Sequence, residues 1–327
     1  MTILVTGGAG YIGSHTVRQL AARGRRVIVL DTLELGSAAA VSGTTLVVGD
    51  IRDRELVVRT CHEHEVRQVV HFAAYKSVGE SMTSPAKYWN NNVWGTAQLA
   101  DAVASAGVLE FVFSSSCSVY GTPDAVPVDE SAAVRPESVY AETKAMSERI
   151  LSWFGTTHGM RSVALRYFNA AGASDDASIG EDWRYSANLI PLVMKAVLGA
   201  GPALRVFGTD YPTPDGTCIR DYIHVDDLAD AHVKALDYLA SGGPTRALNV
   251  GTGTGTSVRE IIAATERITG MTVPVEFAER RAGDPVATFA DPSTVAGVLG
   301  WTASRSVDDI IRSAFTWHSA QVGRPAT

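Results

Sequence analysis

The chain has 327 residues, 46% hydrophobic and 19% charged, a composition that fits a globular protein with one large or two ordinary domains. With 28 Lys plus Arg against 35 Asp plus Glu, the formal net charge is −7. That excludes a basic nucleic-acid footprint and requires any anionic ligand to be met by local cations. Cys61, Cys117 and Cys218 stand at no CxxC spacing, which argues against both a zinc site and a disulfide framework, and no apolar run reaches membrane-spanning length.

The chain opens on Thr2-Ile3-Leu4-Val5, which reads as a strand leading into glycines and not as the basic head and apolar core of a signal peptide; the expectation is a cytoplasmic protein. The glycine run Thr6-Gly7-Gly8-Ala9-Gly10-Tyr11-Ile12-Gly13 follows, and a helix is predicted over Ile12 to Ala22. Gly7, Gly10 and Gly13 form GxxGxxG, so the backbone can approach a pyrophosphate at the positive end of that helix. A second strand, Val27-Ile28-Val29-Leu30, ends at Asp31. A carboxylate there accepts hydrogen bonds from both ribose hydroxyls and repels a 2′-phosphate, so NAD is favoured over NADP. A third strand, Leu46-Val47-Val48, runs into Gly49-Asp50-Ile51. This segment reads either as an adenine contact or as a plain strand-ending turn.

A helix from Asp53 to His62, the strand Val69-Val70-His71-Phe72, a long helix from Tyr88 to Ala106 and the strand Phe111-Val112-Phe113 continue the alternation. Ser114-Ser115-Ser116 then stands at the carboxyl end of a predicted strand, where parallel sheets place ligands. A helix over Ser138 to Phe154 carries Tyr140-Ala141-Glu142-Thr143-Lys144, and spacing of four puts the phenol and the ammonium on one face. A tyrosine titrates near ~10 in water, too high for a base at neutral pH. A nearby ammonium and an oxidised nicotinamide both favour the phenolate. Ser116 can share a hydrogen bond with Tyr140 and a substrate hydroxyl. After the strand Ser162-Val163-Ala164-Leu165 the alternation stops, and Ala170 to Arg184 reads as a loop.

The whole predicts an α/β fold: a Rossmann-type doubly wound parallel sheet with helices on both faces, followed by a smaller mixed α/β domain. The boundary is placed at 172/173, with residues 1–172 binding the dinucleotide and 173–327 the substrate. Tyr222-Ile223-His224-Val225 and Leu248-Asn249-Val250 are candidates to return to the first sheet.

The chain resembles the extended short-chain dehydrogenase/reductases and, within them, the UDP-glucose 4-epimerases. The resemblance runs nearly end to end. It rests on Thr6 through His15, on His71-Phe72-Ala73-Ala74-Tyr75-Lys76-Ser77-Val78-Gly79-Glu80-Ser81, and on Asn91-Asn92-Val93. Ser114-Ser115-Ser116, Arg166-Tyr167-Phe168-Asn169, Arg220-Asp221-Tyr222-Ile223-His224-Val225 and Arg280-Arg281-Ala282-Gly283-Asp284 complete it. The resemblance implies that NAD is held by Gly7, Gly10, Tyr11, Ile12, Gly13, Asp31, Asp50, Ile51, Phe72, Ala73, Ala74, Lys76, Asn92, Tyr140, Lys144 and Phe168. It implies that Ser116, Tyr140 and Lys144 are catalytic. The UDP-sugar would meet Lys76, Ser116, Tyr140, Asn169, Asn188, Leu189, Arg205, Phe207, Arg220, Tyr222, Arg281, Asp284 and Thr288. Arg220 and Arg281 are the local guanidinium groups that a diphosphate needs on an acidic protein. No metal is implied, and a homodimer is expected from the resemblance alone.

The implied reaction interconverts UDP-glucose and UDP-galactose through a 4-keto sugar. The alternatives are epimerisation of UDP-N-acetylglucosamine or a UDP-pentose, or dual specificity, and a non-catalytic NAD-sensing protein on the same fold. Retention of both Tyr140 and Lys144 argues against the last. A 4,6-dehydratase would need an acid and a carboxylate just after the serine, where this chain has Cys117-Ser118. Four positions depart from the family pattern: Thr32 replaces the usual Asn after Asp31, Cys117-Ser118 replaces a pair such as Ala-Thr, and Arg205 replaces a smaller or neutral residue.

Overall fold

A computed structural model describes residues 1–281 and 283–322; Ala282, inside the Arg280–Asp284 motif, lies outside the described residues. The first half comprises β1 (Thr2–Thr6), α1 (Tyr11–Ala22), β2 (Arg26–Asp31), β3 (Thr45–Val48), α2 (Arg54–Glu63), β4 (Val66–His71), α3 (Val78–Thr83), α4 (Pro85–Tyr88), α5 (Gly95–Ser105), β5 (Glu110–Ser114), α6 (Val139–His158) and β6 (Arg161–Tyr167). The second half comprises β7 (Asn169–Ala171), α7 (Leu189–Val197), β8 (Leu204–Phe207), β9 (Ile219–Arg220), β10 (Tyr222–His224), α8 (Val225–Ala240) and β11 (Arg246–Val250). It continues with β12 (Thr256–Ser257), α9 (Val258–Thr269), β13 (Val275–Ala278), β14 (Ala287–Thr288), α10 (Ser293–Leu299) and α11 (Val307–Ser319).

Seven strands form one sheet in the order β3-β2-β1-β4-β5-β6-β11, and every pairing is parallel. The expected doubly wound sheet is therefore present. Its strands do not alternate polar and apolar because both faces are covered. Ile3 and Val5 point into one buried cluster with Val17, Leu20 and Leu228, whereas Leu4 points into another with Val57, Leu99 and Leu151. The strand order reverses between β1 and β4, and such a switch point opens a crevice at the carboxyl ends of the strands.

Of the two segments proposed to rejoin the sheet, Leu248–Val250 lies in β11 and pairs with β6, while Tyr222–His224 forms β10 and pairs with β7 in a separate two-stranded unit. A third buried cluster joins α7, β8, α9 and α11 around Val193, Met194, Val206, Ile261 and Ile310. The predicted helix from Tyr88 to Ala106 is a helical run from Pro85 to Ser105 that passes through a π-helical stretch at Trp89–Trp94. Helical periodicity does not reveal that widening, which contains the buried Asn92; such turns recur at functional sites. Among the described residues no helix is long and apolar enough to cross a membrane.

Candidate active site

Sequence and packing together leave a cradle at the switch point. Gly7 has φ +68°, and a side chain there would put its first carbon 2.4 Å from Ala73 N; one on Gly13 would lie 2.3 Å from Gly7 O. Glycine is thus required at both positions for the loop, the segment after β4 and the start of α1 to touch. Helix α1 has no side-chain cap and no acid in its first turn. Its first amide groups are left for an outside acceptor, which suits a pyrophosphate. Asp31 is buried at the end of β2, where Oδ2 accepts from Ala9 N at 2.9 Å and Oδ1 from Leu33 N at 2.9 Å. Its remaining lone pairs suit the two hydroxyls of a ribose. Each of these features fits an NAD.

The other residues implied for NAD surround this cradle. Tyr11, Ile12 and the half-buried Phe72, Ala73 and Ala74 line the loop and the segment after β4. Tyr11 donates to Gly172 O at 2.7 Å. Asp50 follows β3 and is held by Arg52, which keeps its carboxyl below the usual range. Ile51 is buried beside it. Asn92 is buried, and its amide spans Tyr75 N (2.9 Å), Tyr75 O (3.0 Å) and Thr143 Oγ1 (3.1 Å). In this arrangement Asn92 fixes the segment carrying Lys76 against α6. Phe168 packs into a small buried cluster with Val119, Tyr120, Ala145 and Ala290, beneath the serine loop.

Helix α6 starts where Ser138 accepts from Ala141 N and stops at Gly159 in the left-handed conformation. That start places Tyr140 and Lys144 on the buried face. Burial pushes the Tyr140 phenol well up, the neighbouring Tyr167 adds to the shift, and the nearby Ser116 hydroxyl opposes it. Lys144 donates to Ser114 O at 2.7 Å and lies 5.9 Å from the centroid of the Tyr140 ring. Burial pushes it down to about 7, with Glu148 acting in the opposite direction. Burial thus favours the neutral form of both groups. Ser116 is buried at the end of β5, beside the Tyr140 phenol, and accepts from Ser118 N at 3.2 Å.

Two residues to which the sequence assigns no role, Glu148 and Arg166, support this pair. Glu148 accepts from Ser115 Oγ at 2.5 Å and takes a bidentate grip from Arg166, whose Nη2 lies at 2.6 Å. Arg166 Nη1 donates to Tyr120 at 2.9 Å, and Tyr120 donates to Asn249 at 2.7 Å. The chain ties α6, the loop after β5, and β11 together around Ser116. Its sequence signal was available: Glu148 stands four residues after Lys144, on the same face.

The cations predicted for a diphosphate meet at Asp284. Arg281 Nε lies 2.9 Å from its carboxylate and Arg220 Nη2 lies 4.0 Å from it. Arg220 also donates to Ile219 O and Pro285 O. The Phe207 ring is flanked by both guanidinium groups, Arg281 at 4.7 Å and Arg205 at 5.2 Å from its centroid. Parallel pairing sets Asn169 beside the buried Tyr222, and Thr288 beside Arg220. Cys117 links the two ends of the site: it follows Ser116, and burial pushes its thiol up to about 12 while Arg220 pulls the other way. Asn188 and the half-buried Leu189 open α7, with the Asn188 amide on Glu181 at 3.1 Å. Lys76 Nζ reaches the same carboxylate at 2.8 Å. No group of three or more His, Cys, Asp or Glu suited to a metal ion occurs among the described residues.

The chain has known relatives in both sequence and fold. Residues 3–251 match the model of the NAD dependent epimerase/dehydratase family. A UDP-glucose 4-epimerase of Rhizobium meliloti is 49% identical over 317 residues, covering 97% of each chain. The crystal structure of UDP-glucose 4-epimerase from Brucella ovis in complex with NAD superposes with a TM-score of 0.95 at 47% identity, covering 96% of this chain and 97% of that one. The corresponding enzyme of Bifidobacterium longum in complex with NAD+ and UDP gives a TM-score of 0.92 at 37% identity, covering 98% of each.

Proposed function

The chain belongs to the NAD dependent epimerase/dehydratase family, and on that premise we propose that it interconverts UDP-glucose and UDP-galactose by inverting the 4-hydroxyl of the hexose. The observation that carries the reading is the buried Ser116–Tyr140 pair with Lys144 one turn on, at the mouth of a glycine cradle fit for NAD. NAD, when bound, accepts the C4 hydride, returns it, and brings a positive charge that favours a phenolate. Tyr140 removes the proton from the 4-hydroxyl while Ser116 orients that hydroxyl and shares the hydrogen bond. Lys144 holds Ser114 in place and lends positive charge to the phenol's surroundings. The 4-keto sugar turns about its diphosphate link, and Tyr140 returns the proton after reduction on the opposite face.

That turn demands a firm hold on UDP and a loose one on the hexose. Arg220 and Arg281 are assigned to the diphosphate, Asp284 to a hydroxyl of the UDP-sugar, from which a carboxylate accepts, and Phe207 to the uracil. Asn169, Asn188, Leu189, Tyr222 and Thr288 are assigned to the remainder of the UDP-sugar, and Arg205 supplies a second guanidinium beside Phe207. A dehydratase reading is disfavoured by the Cys117 thiol, which at about 12 is no base at neutral pH. Residues 1–172, joined by β11, are assigned to NAD binding and 173–327 to the UDP-sugar.

A homodimer is supported by Trp94, just before α5, and Trp153, on α6, which are 54% and 68% exposed and suited to burial against a second copy. We assign the reaction to galactose metabolism in the cytoplasm, in keeping with three unpaired cysteines. The test is incubation with UDP-galactose deuterated at C4, followed by NMR. UDP-glucose that keeps the deuterium at C4 supports the reading; loss of the label to solvent, or no UDP-glucose, overturns it.

A further inference from the structure

Glu181 has no part in the chemistry described above, yet its side chain is only 5% exposed beside the two ligand sites. Its backbone is held without help from that carboxylate. The Trp317 indole donates to Glu181 O at 2.9 Å, and a side chain on the preceding Gly180 would lie 2.6 Å from the Trp317 ring. Gly180 is also bridged to Ala173. The loop therefore aims the carboxylate, and the carboxylate is not what holds the loop.

It is aimed at two residues. Lys76 Nζ lies at 2.8 Å and Asn188 Nδ2 at 3.1 Å, both on Oε1. Lys76 sits on the segment after β4 that lines the dinucleotide cradle, and 6.0 Å separates its ammonium from the Tyr11 ring at the start of α1. Asn188 is the first residue before α7, on the side assigned to the sugar nucleotide. The charge of Glu181 also reaches the buried Tyr11 phenol, where it reinforces the upward push of burial. Taking a carboxylate out of water to meet a half-exposed lysine returns little stability. Stability therefore does not account for the arrangement, and joining the two ligand sites does.

We propose that Glu181 is a positioning residue that holds Lys76 and Asn188 to a single oxygen, so that the grip on NAD and the grip on the UDP-sugar tighten together. The proposal rests on the ligand assignments above. It requires that Glu181→Gln, which keeps the shape but loses the charge, uncouple the two sites without unfolding the loop.

The experiment measures exchange of bound NAD for isotopically labelled NAD in the full-length holoenzyme, with and without saturating UDP, alongside thermal midpoints and calorimetry of UDP binding. In the wild type UDP should slow NAD exchange by about tenfold, a coupling of ~1.4 kcal/mol. Glu181→Gln should keep the thermal midpoint and exchange NAD at one rate whether or not UDP is present. Lys76→Met breaks the same pair from its exposed end and should also abolish the coupling; Lys76→Met/Glu181→Gln should then show no loss beyond that of Lys76→Met alone. Full coupling in either single variant overturns the proposal, as does a double variant whose losses simply add. If the wild type shows the coupling but does not convert UDP-galactose, the assigned reaction fails and the role of Glu181 stands.

Discussion

Replacing Glu148 by glutamine tests how a buried charge pair serves the Tyr140–Lys144 pair. Glu148 and Arg166 are 13% and 10% exposed, and the carboxylate accepts from both Arg166 and Ser115. Removing one partner of a buried pair costs about 3–5 kcal/mol because the other charge is left uncompensated. Here the glutamine carbonyl retains one acceptor, and Arg166 keeps its bond to Tyr120, so a loss of about 2–3 kcal/mol is expected. A second effect follows from Glu148 opposing the downward shift of Lys144 from burial. Without that carboxylate the amine falls below about 7, and a larger share of it is neutral at pH 7. The alkaline limb of kcat/KM for UDP-galactose should then move to lower pH. Urea unfolding followed by tryptophan fluorescence at fixed NAD reads the first effect, and a coupled assay across pH reads the second. Replacing both partners together, Glu148→Leu with Arg166→Met, should restore much of the stability but not the pH limb. If Glu148→Gln unfolds within ~0.5 kcal/mol of wild type, the range of an unremarkable surface change, and keeps the wild-type limb, the reasoning is wrong.

Three shorter predictions concern neighbouring residues. Lys144 has a folded value near 7, below its ordinary 10.5, so between those values the unfolded chain binds more protons and stability rises with pH; Lys144→Met should lose that rise in denaturation series from pH 7 to 10, and an unchanged pH slope would contradict it. Asp31 should make NAD bind more tightly than NADP, because its carboxylate faces any 2′-phosphate with like charge; equal affinities by calorimetry would sink that role. Thr288 is a small residue, and the adjacent Phe289, a candidate to fill the space beside it, packs toward Gly255, so room beside C2 of the sugar is expected and UDP-N-acetylgalactosamine should be turned over. Thr288→Tyr should then cost that substrate about tenfold to a hundredfold, as overpacking by ~1–3 kcal/mol does, and spare UDP-galactose; a wild type inactive on the acetamido sugar would show that Thr288 does not set the size of the pocket.

The sheet was readable because its signals are local: β-branched runs of five or so residues, glycines at a tight turn, and a capped helix start at Ser138. The same holds for Asp31, Tyr140 and Lys144, whose chemistry is stated by residue type and spacing. Glu148 and Arg166 were less visible because their meaning lies in a contact 18 residues apart in the chain. Glu181 was invisible. It sits in a loop rich in Gly, Ala, Ser and Asp, and only the packing of Trp317 against Gly180 makes it a fixed point. The π-helical stretch at Trp89–Trp94 was hidden for a related reason, since one widened turn barely disturbs helical periodicity. Spacing also leaves burial unstated: it places Lys144 near Tyr140 but does not show that burial pushes the phenol up and the amine down to about 7.

Tyr140 is the group on which the proposed reaction depends, because it moves the proton of the 4-hydroxyl. The direct measurement is kcat for UDP-galactose in Tyr140→Phe against wild type, with UDP affinity measured on the same samples. Phenylalanine keeps the ring in its buried place and removes only the hydroxyl. Loss of the general base should lower kcat by about 10²–10⁴-fold while UDP binds as in wild type. Turnover near the wild-type rate, with UDP bound normally, would contradict the account.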